Sequence, residues 1–254
     1  MKKKYPILEF DPSKLAIIEP SKVIQKLDVP EHCVLCFSYD VIEKLKNDNK
    51  IKHLTDLHSC MGLHPVYELN FNSKRVALFH PGIGASFVAG LFEELIAVGM
   101  KKFIACGGAG VLDKKIAVGH LIVPTSAVRD EGTSYHYLAP SRENEPSNEG
   151  VEAIIKTLKK HKCKYLLSKT WTTDAIYRET KEKIRLRKSE GCLTVEMECS
   201  ALCAVAKFRG VTFAQLLYAG DDVSCEEWDP RKTKDRLFIM EKVFWLAVEA
   251  CSEL

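Results

Sequence analysis

The chain has 254 residues, 46% of them apolar and 28% charged, with a formal net charge of +3. That is an ordinary globular balance, with enough sequence for one sizeable core. The charge is dispersed, and the basic clusters at 1–4, 159–164 and 181–188 lack the interleaved aromatics that stack bases, which argues against a nucleic-acid partner.

No stretch reaches the roughly 18 apolar residues of a membrane span. Pro6, Glu9 and Asp11 follow the basic start at once, which leaves no apolar signal-peptide region. The expectation is a cytoplasmic protein whose ten cysteines are free thiols in a reducing compartment.

Short apolar runs predict strands at 15–18, 33–37, 75–79, 102–106, 120–128, 165–171, 193–197 and 213–219. Helical spacing appears over 87–98 (Phe87, Val88, Leu91, Leu95, Val98) and over 151–160 (Ile154, Ile155, Leu158). It returns over about 234–252, with Leu237, Phe238, Val243, Phe244, Ala247 and Cys251 facing inward. Residues 140–150, polar and without periodicity, read as the mobile loop. Cys33 and Cys36 lie three apart in a strand and point to opposite faces, so they cannot share a metal. Cys199 and Cys203 share a helical face, but nothing nearby completes a site. No metal is expected. Strands alternating with helices predict an α/β fold, one domain over 1–254 with residues 1–14 as an N-terminal extension, and a mixed sheet covered on both sides.

Ligands of such sheets gather at the carboxyl ends of strands. Five segments stand there. His80-Pro81-Gly82-Ile83-Gly84-Ala85-Ser86 and Cys106-Gly107-Gly108-Ala109-Gly110-Val111 are glycine loops whose amides can approach oxygen atoms closely. Each alone is equally an ordinary tight turn. The polar run 129–137 reads as a substrate-facing loop, or as a turn in which Asp130 or Glu131 pairs with Arg129. In 194–202, Glu196 and Glu198 interrupt a run passing from buried strand to buried helix. A buried carboxylate needs a dedicated partner, either a ligand hydroxyl pair or a structural lysine or arginine. Finally Asp221, after Gly220 at the end of a very apolar strand, is placed for proton transfer.

Together these segments resemble the nucleoside phosphorylase and nucleosidase family, which includes uridine phosphorylase, hexameric purine nucleoside phosphorylase and methylthioadenosine nucleosidase. The resemblance runs from about Leu15 to the C-terminal helix. Its most specific element is Val195-Glu196-Met197-Glu198, and Gly220-Asp221 stands where the family has Ser-Asp. The resemblance implies a central mixed sheet curling into a barrel, and assembly as dimers or trimers of dimers. It implies that Met197 and Glu198 hold the ribose, with Glu196 beside them, and that Asp221 bonds or protonates the departing base. Gly84, Gly107 and Gly108 would line the phosphate or ribose side. Lys22, in Glu19-Pro20-Ser21-Lys22, would supply a cation to phosphate. No metal or organic cofactor is implied, inorganic phosphate being a co-substrate.

The chain departs from the family twice. The arginine before the second glycine loop and the Ser or Thr within it are matched by Ala105 and Gly108. The hydrolytic branch also lacks that arginine, so water is the alternative acceptor, with Glu19 as its candidate base. The uridine branch's Gln-x-Arg is matched by Thr180 and Glu182, leaving Tyr177 and Arg178 to meet the base differently. Three readings follow: a nucleoside phosphorylase, a nucleosidase, or a non-catalytic binding or storage member. His58, Cys60 and His64 are candidates for an oligomer contact.

Overall fold

The computed structural model describes residues 2–254. In chain order the elements are α1 (Pro20–Val23), β1 (His32–Cys36), α2 (Tyr39–Asn47), β2 (Lys52–Ser59), β3 (Gly62–Phe71), β4 (Lys74–Phe79), α3 (Ala85–Val98) and β5 (Lys102–Val111). They continue with β6 (Leu121–Asp130), β7 (Glu143–Asn144), α4 (Asn148–Lys160), β8 (Tyr165–Thr173), α5 (Lys181–Ser189), β9 (Cys192–Glu196), α6 (Cys199–Arg209), β10 (Thr212–Asp222) and α7 (Arg236–Ser252).

The buried strands are apolar on both faces because helices cover both. In β1, Cys33 and Leu35 join the cluster of Leu91, Phe92 and Leu202, while Val34 and Cys36 join that of Ile154, Phe244 and Ala247. The two cysteines therefore face opposite layers, as their spacing predicts. On α6 every residue from Cys199 to Ala206 is buried, and six of those eight are Ala, Ser or Cys. Small side chains let a helix sit between the sheet and α3 on all sides. Gly210, with φ 71°, ends it in the left-handed conformation that glycine adopts most readily.

Strands β10, β6, β8, β9 and β5 pair in that order, and β5 pairs back onto β10, closing a five-stranded mixed barrel. β5 makes this possible by its length. Its first half pairs in parallel with β1 (Leu35 opposite Ala105) and its last residues run antiparallel to β9 (Gly110 opposite Val195). From β1 the sheet continues through β4 and β3 to an edge at β2. The fold is thus the expected α/β domain with a barrel inside a larger sheet.

Several expectations change. Residues 15–18 form no strand: Leu15, Ile17 and Ile18 are exposed, no strand edge lies beside them, and Pro20 opens the short α1 directly after. Residues 140–150 are not a free loop. β7 pairs with β6, the Asn144 side chain donates to the Ser200 carbonyl at 2.7 Å, and α4 begins at Asn148. α7 starts at Arg236, and Leu237 and Phe238 of its first turn are exposed instead of facing inward; Val243, Phe244, Ala247 and Cys251 are buried. The β2–β3 hairpin carries too few apolar residues to read as strands, since only its inner positions, such as Leu57, Val66 and Leu69, are covered. His58, Cys60 and His64 lie at its tip, where His64 bonds Ser59 Oγ at 2.7 Å and Met61 and Leu63 are exposed. Among the described residues no helix is long and apolar enough to cross a membrane.

Candidate active site

The carboxyl ends of β5, β9 and β10 open into one cleft of about 670 Å³. Its floor is Gly107, Gly108, Ala109 and Gly110, its walls include Val195 to Glu198 and Tyr218 to Asp221, and the loop from Trp228 to Thr233 with Arg236 stands over it. The floor is glycine because its neighbours come close. A Cβ on Gly108 would lie 2.9 Å from the Tyr218 hydroxyl, and one on Gly107 would lie 2.9 Å from Phe37 Cβ. Tyr218 is buried, so Gly108→Ala must displace its ring. This overpacking is expected to lower stability by about 1–3 kcal/mol, read as a fall in the denaturant midpoint. An unchanged midpoint would contradict the packing described.

Glu196 and Glu198 divide their roles. Glu196 Oε2 accepts from the backbone N–H groups of Glu198 (2.8 Å) and Cys199 (2.6 Å), and Oε1 accepts from Thr172 Oγ1 (2.6 Å). It caps the start of α6, and both of its oxygens are committed. Glu198 accepts one bond, from the Gly84 N–H at 2.7 Å, and no lysine or arginine pairs with it among the described residues. Burial therefore pushes the Glu198 carboxyl well up, with the Gly84 N–H opposing. Burial and the neighbouring Glu198 charge push Glu196 up as well. The Gly84 contact requires glycine, since its φ is 93°.

Asp221 reaches the cleft through an irregularity. β10 pairs with β5 up to Ala219 opposite Ala109 and resumes at Asp222 opposite Val111. This inserts an extra residue at Gly220-Asp221, and such bulges re-aim side chains. The backbone is close there: a Cβ on Gly220 would lie 3.3 Å from the Ala109 carbonyl oxygen, a tight contact. Asp221 Oδ2 accepts from Trp228 Nε1 at 2.7 Å. The next residue anchors the covering loop: Asp222 Oδ2 pairs with Arg231 at 2.7 Å, and its backbone bridges Asp229. Glu179, beyond the end of β8, lines the cleft as well; burial, then the charge of Asp221, raise its carboxyl to about 7. Lys232 and Arg236 line the cleft and make no ion pair among the described residues.

Other sequence candidates lie elsewhere. Tyr177 (95% exposed) and Arg178 sit on a solvent-facing 3-10 turn and do not line the cleft, although the adjacent Ile176 and Glu179 do. Lys22 is exposed on α1, outside the lining. Glu19 is buried and pairs with Arg209 at 2.6 Å; the Ala16 N–H, and then that contact, hold its carboxyl low against the opposing effect of burial. The 129–137 run does not line the cleft, and its buried side chains are held by internal partners. Arg129 donates to Ser134 Oγ and the Ala139 carbonyl (both 2.8 Å), Asp130 pairs with Lys183 and Arg187, and Glu131 accepts from Ser200 Oγ at 2.9 Å. Among the described residues no group of three metal-capable side chains converges.

Sequence reasoning missed Glu179, Trp228, Lys232, Arg236 and Gln215. Glu179 and Trp228 stand in loops without a motif, and Gln215 is hidden in the apolar run 213–219.

Fold and cleft together define an α/β barrel protein with a cleft lined by acids from separate strand ends. The chain belongs to the phosphorylase superfamily, whose sequence model matches residues 31–242. A guanosine phosphorylase of Halorubrum lacusprofundi is 25% identical over 182 residues, which cover 68% of this chain and 76% of that protein. The purine nucleoside phosphorylase of Toxoplasma gondii, solved with immucillin-H, superposes with a TM-score of 0.77 at 19% identity, covering 89% of this chain and 92% of that one. An AMP nucleosidase from Bacteroides thetaiotaomicron superposes at 0.71 and 21% identity, covering 90% of each chain.

Proposed function

We propose that this protein cleaves the N-glycosidic bond of a purine or uridine-type nucleoside by phosphorolysis, releasing free base and (deoxy)ribose 1-phosphate. The observation that carries this is one cleft holding Glu198, a buried carboxylate with no cationic partner, and Asp221, an acid re-aimed inward by a bulge. Cleavage develops positive charge on the sugar and negative charge on the base. Glu198, accepting bonds from sugar hydroxyls beside Met197, favours the first; Asp221, donating to the leaving base with Glu179 nearby, favours the second. Gly84 serves here by orienting Glu198, and Glu196 by capping the helix that carries it. The relative named a guanosine phosphorylase supports the same reading.

A specific observation favours a second reading, hydrolysis. The cleft floor carries no cation at Gly108, the strand residue Ala105 before it supplies none, and Lys22 lies outside the lining. Lys232 and Arg236 are thus the lining cations without an ion pair among the described residues that are left to meet phosphate. Running the reaction in 18O-labelled water with and without phosphate separates the two. Phosphorolysis gives unlabelled sugar 1-phosphate and a rate that saturates with phosphate. Label in free sugar, at a rate indifferent to phosphate, overturns the phosphorylase reading.

A further inference from the structure

Gln215 stands on β10 opposite Ala105 of β5. It is 2% exposed, lines the cleft, and its Oε1 has no hydrogen-bond partner among the described residues. A buried carbonyl without a partner carries a desolvation penalty of about 1–3 kcal/mol, and natural interiors rarely tolerate one without cause. Three features of the surroundings indicate what would satisfy it. The register neighbour Ala105 is buried, and its methyl group offers Oε1 no hydrogen bond. The adjacent floor, Gly107 and Gly108, is glycine. None of Ala105, Gly107 or Gly108 has a side chain that can donate to Oε1, which leaves its partner to a ligand in the cleft that donates and can also accept hydrogen bonds. A carboxamide has that dual character, Oε1 accepting and Nε2 donating.

We propose that Gln215 is the residue that seats the attacking nucleophile, an oxygen acceptor bringing its own O–H, with the O–H donated to Oε1. Hydrogenphosphate and water share this chemistry. The inference rests on the glycosidic-cleavage reading above and names the part of the site that selects the acceptor. As the acceptor oxygen bonds C1′, the C1′–N bond breaks and its electron pair stays on the base nitrogen. The base takes a proton from the Asp221 side. The proton leaving the acceptor oxygen returns to that acid through solvent, so the turnover balances.

Gln215→Met keeps the length and removes both hydrogen-bonding functions. Its melting temperature should equal or exceed that of the parent, because an unpartnered buried carbonyl is gone, while acceptor use suffers. With phosphate as acceptor, KM for phosphate should rise at least tenfold with KM for nucleoside within twofold, and Gln215→Glu should be worse still through charge repulsion. With water as acceptor, kcat should fall at least tenfold, and Gln215→Glu, which still accepts an O–H, should recover most of it. A Gln215→Met protein with kcat and both KM values within twofold of the parent overturns the proposal. Independently of turnover, a crystal structure grown with inorganic phosphate should place a water or phosphate oxygen within hydrogen-bond distance of the Gln215 carboxamide. No such oxygen overturns the proposal even if bases are released. Conversely, an oxygen seated there in a protein that releases no base supports the Gln215 site and overturns the catalytic reading.

Discussion

Asp221→Asn is expected to lower kcat/KM by about 10²–10⁴-fold, the usual contribution of a positioned general acid. Asparagine keeps the shape and still accepts from Trp228 Nε1 through its amide oxygen, so the bond now 2.7 Å long survives and the loop stays over the cleft. Melting temperature should therefore hold, and the loss should fall on kcat more than on KM. A nitrophenyl riboside sharpens the test, because its leaving group departs as a stable anion and needs no proton. The variant should cleave it at a rate near that of the parent. Equal losses on both substrates would show that Asp221 positions the base without supplying a proton.

Glu198→Gln is expected to cost about 10²–10³-fold in kcat/KM, since a charged acceptor facing a developing cation becomes neutral. It also predicts a change in stability with pH. Burial raises Glu198, and burial with the Glu198 charge raises Glu196. A carboxyl raised on folding binds its proton more tightly in the native state. Its contribution is thus fully present below the unfolded value near 4.5 and is lost as pH rises through the raised folded value. The parent should lose melting temperature as pH rises from about 4.5 to about 8, and level off above that. The variant should lose less, because one titrating carboxyl is gone and its charge no longer acts on Glu196. A variant that melts in parallel with the parent across this range would contradict the buried-pair account.

The parts of the site visible in the sequence are those where the backbone or a charge breaks a pattern. Gly107, Gly108 and Gly110 end a buried strand, Glu196 and Glu198 interrupt an apolar run, and Asp221 follows a glycine. These disruptions are costly in a core and so announce themselves. The sequence does not show which of two neighbouring carboxylates is free. That depends on Thr172 and on the Gly84 N–H, which are brought in from strands and loops far along the chain. Nor does it show Gln215, an uncharged residue inside the apolar run 213–219 whose lack of a hydrogen-bond partner appears only once the strands around it are assembled. Tyr177 and Arg178 illustrate the converse: they sit beside Glu179 in sequence, but the 3-10 turn leaves Glu179 facing the cleft and the other two in solvent. Among the fold elements, the half-exposed β2–β3 hairpin was illegible because its stabilisation comes from the edge of a sheet formed elsewhere. The exposed run 15–18 misled because local apolarity cannot report the absence of a strand to pair with.

The most direct test is to incubate the purified protein and inorganic phosphate with a panel of purine and pyrimidine nucleosides and to follow free base by chromatography. Release of base together with sugar 1-phosphate from at least one nucleoside, lost in Asp221→Asn, is the predicted result. No base released from any nucleoside, with or without phosphate, would contradict the account and leave a protein that keeps the family's fold as a binding or storage site.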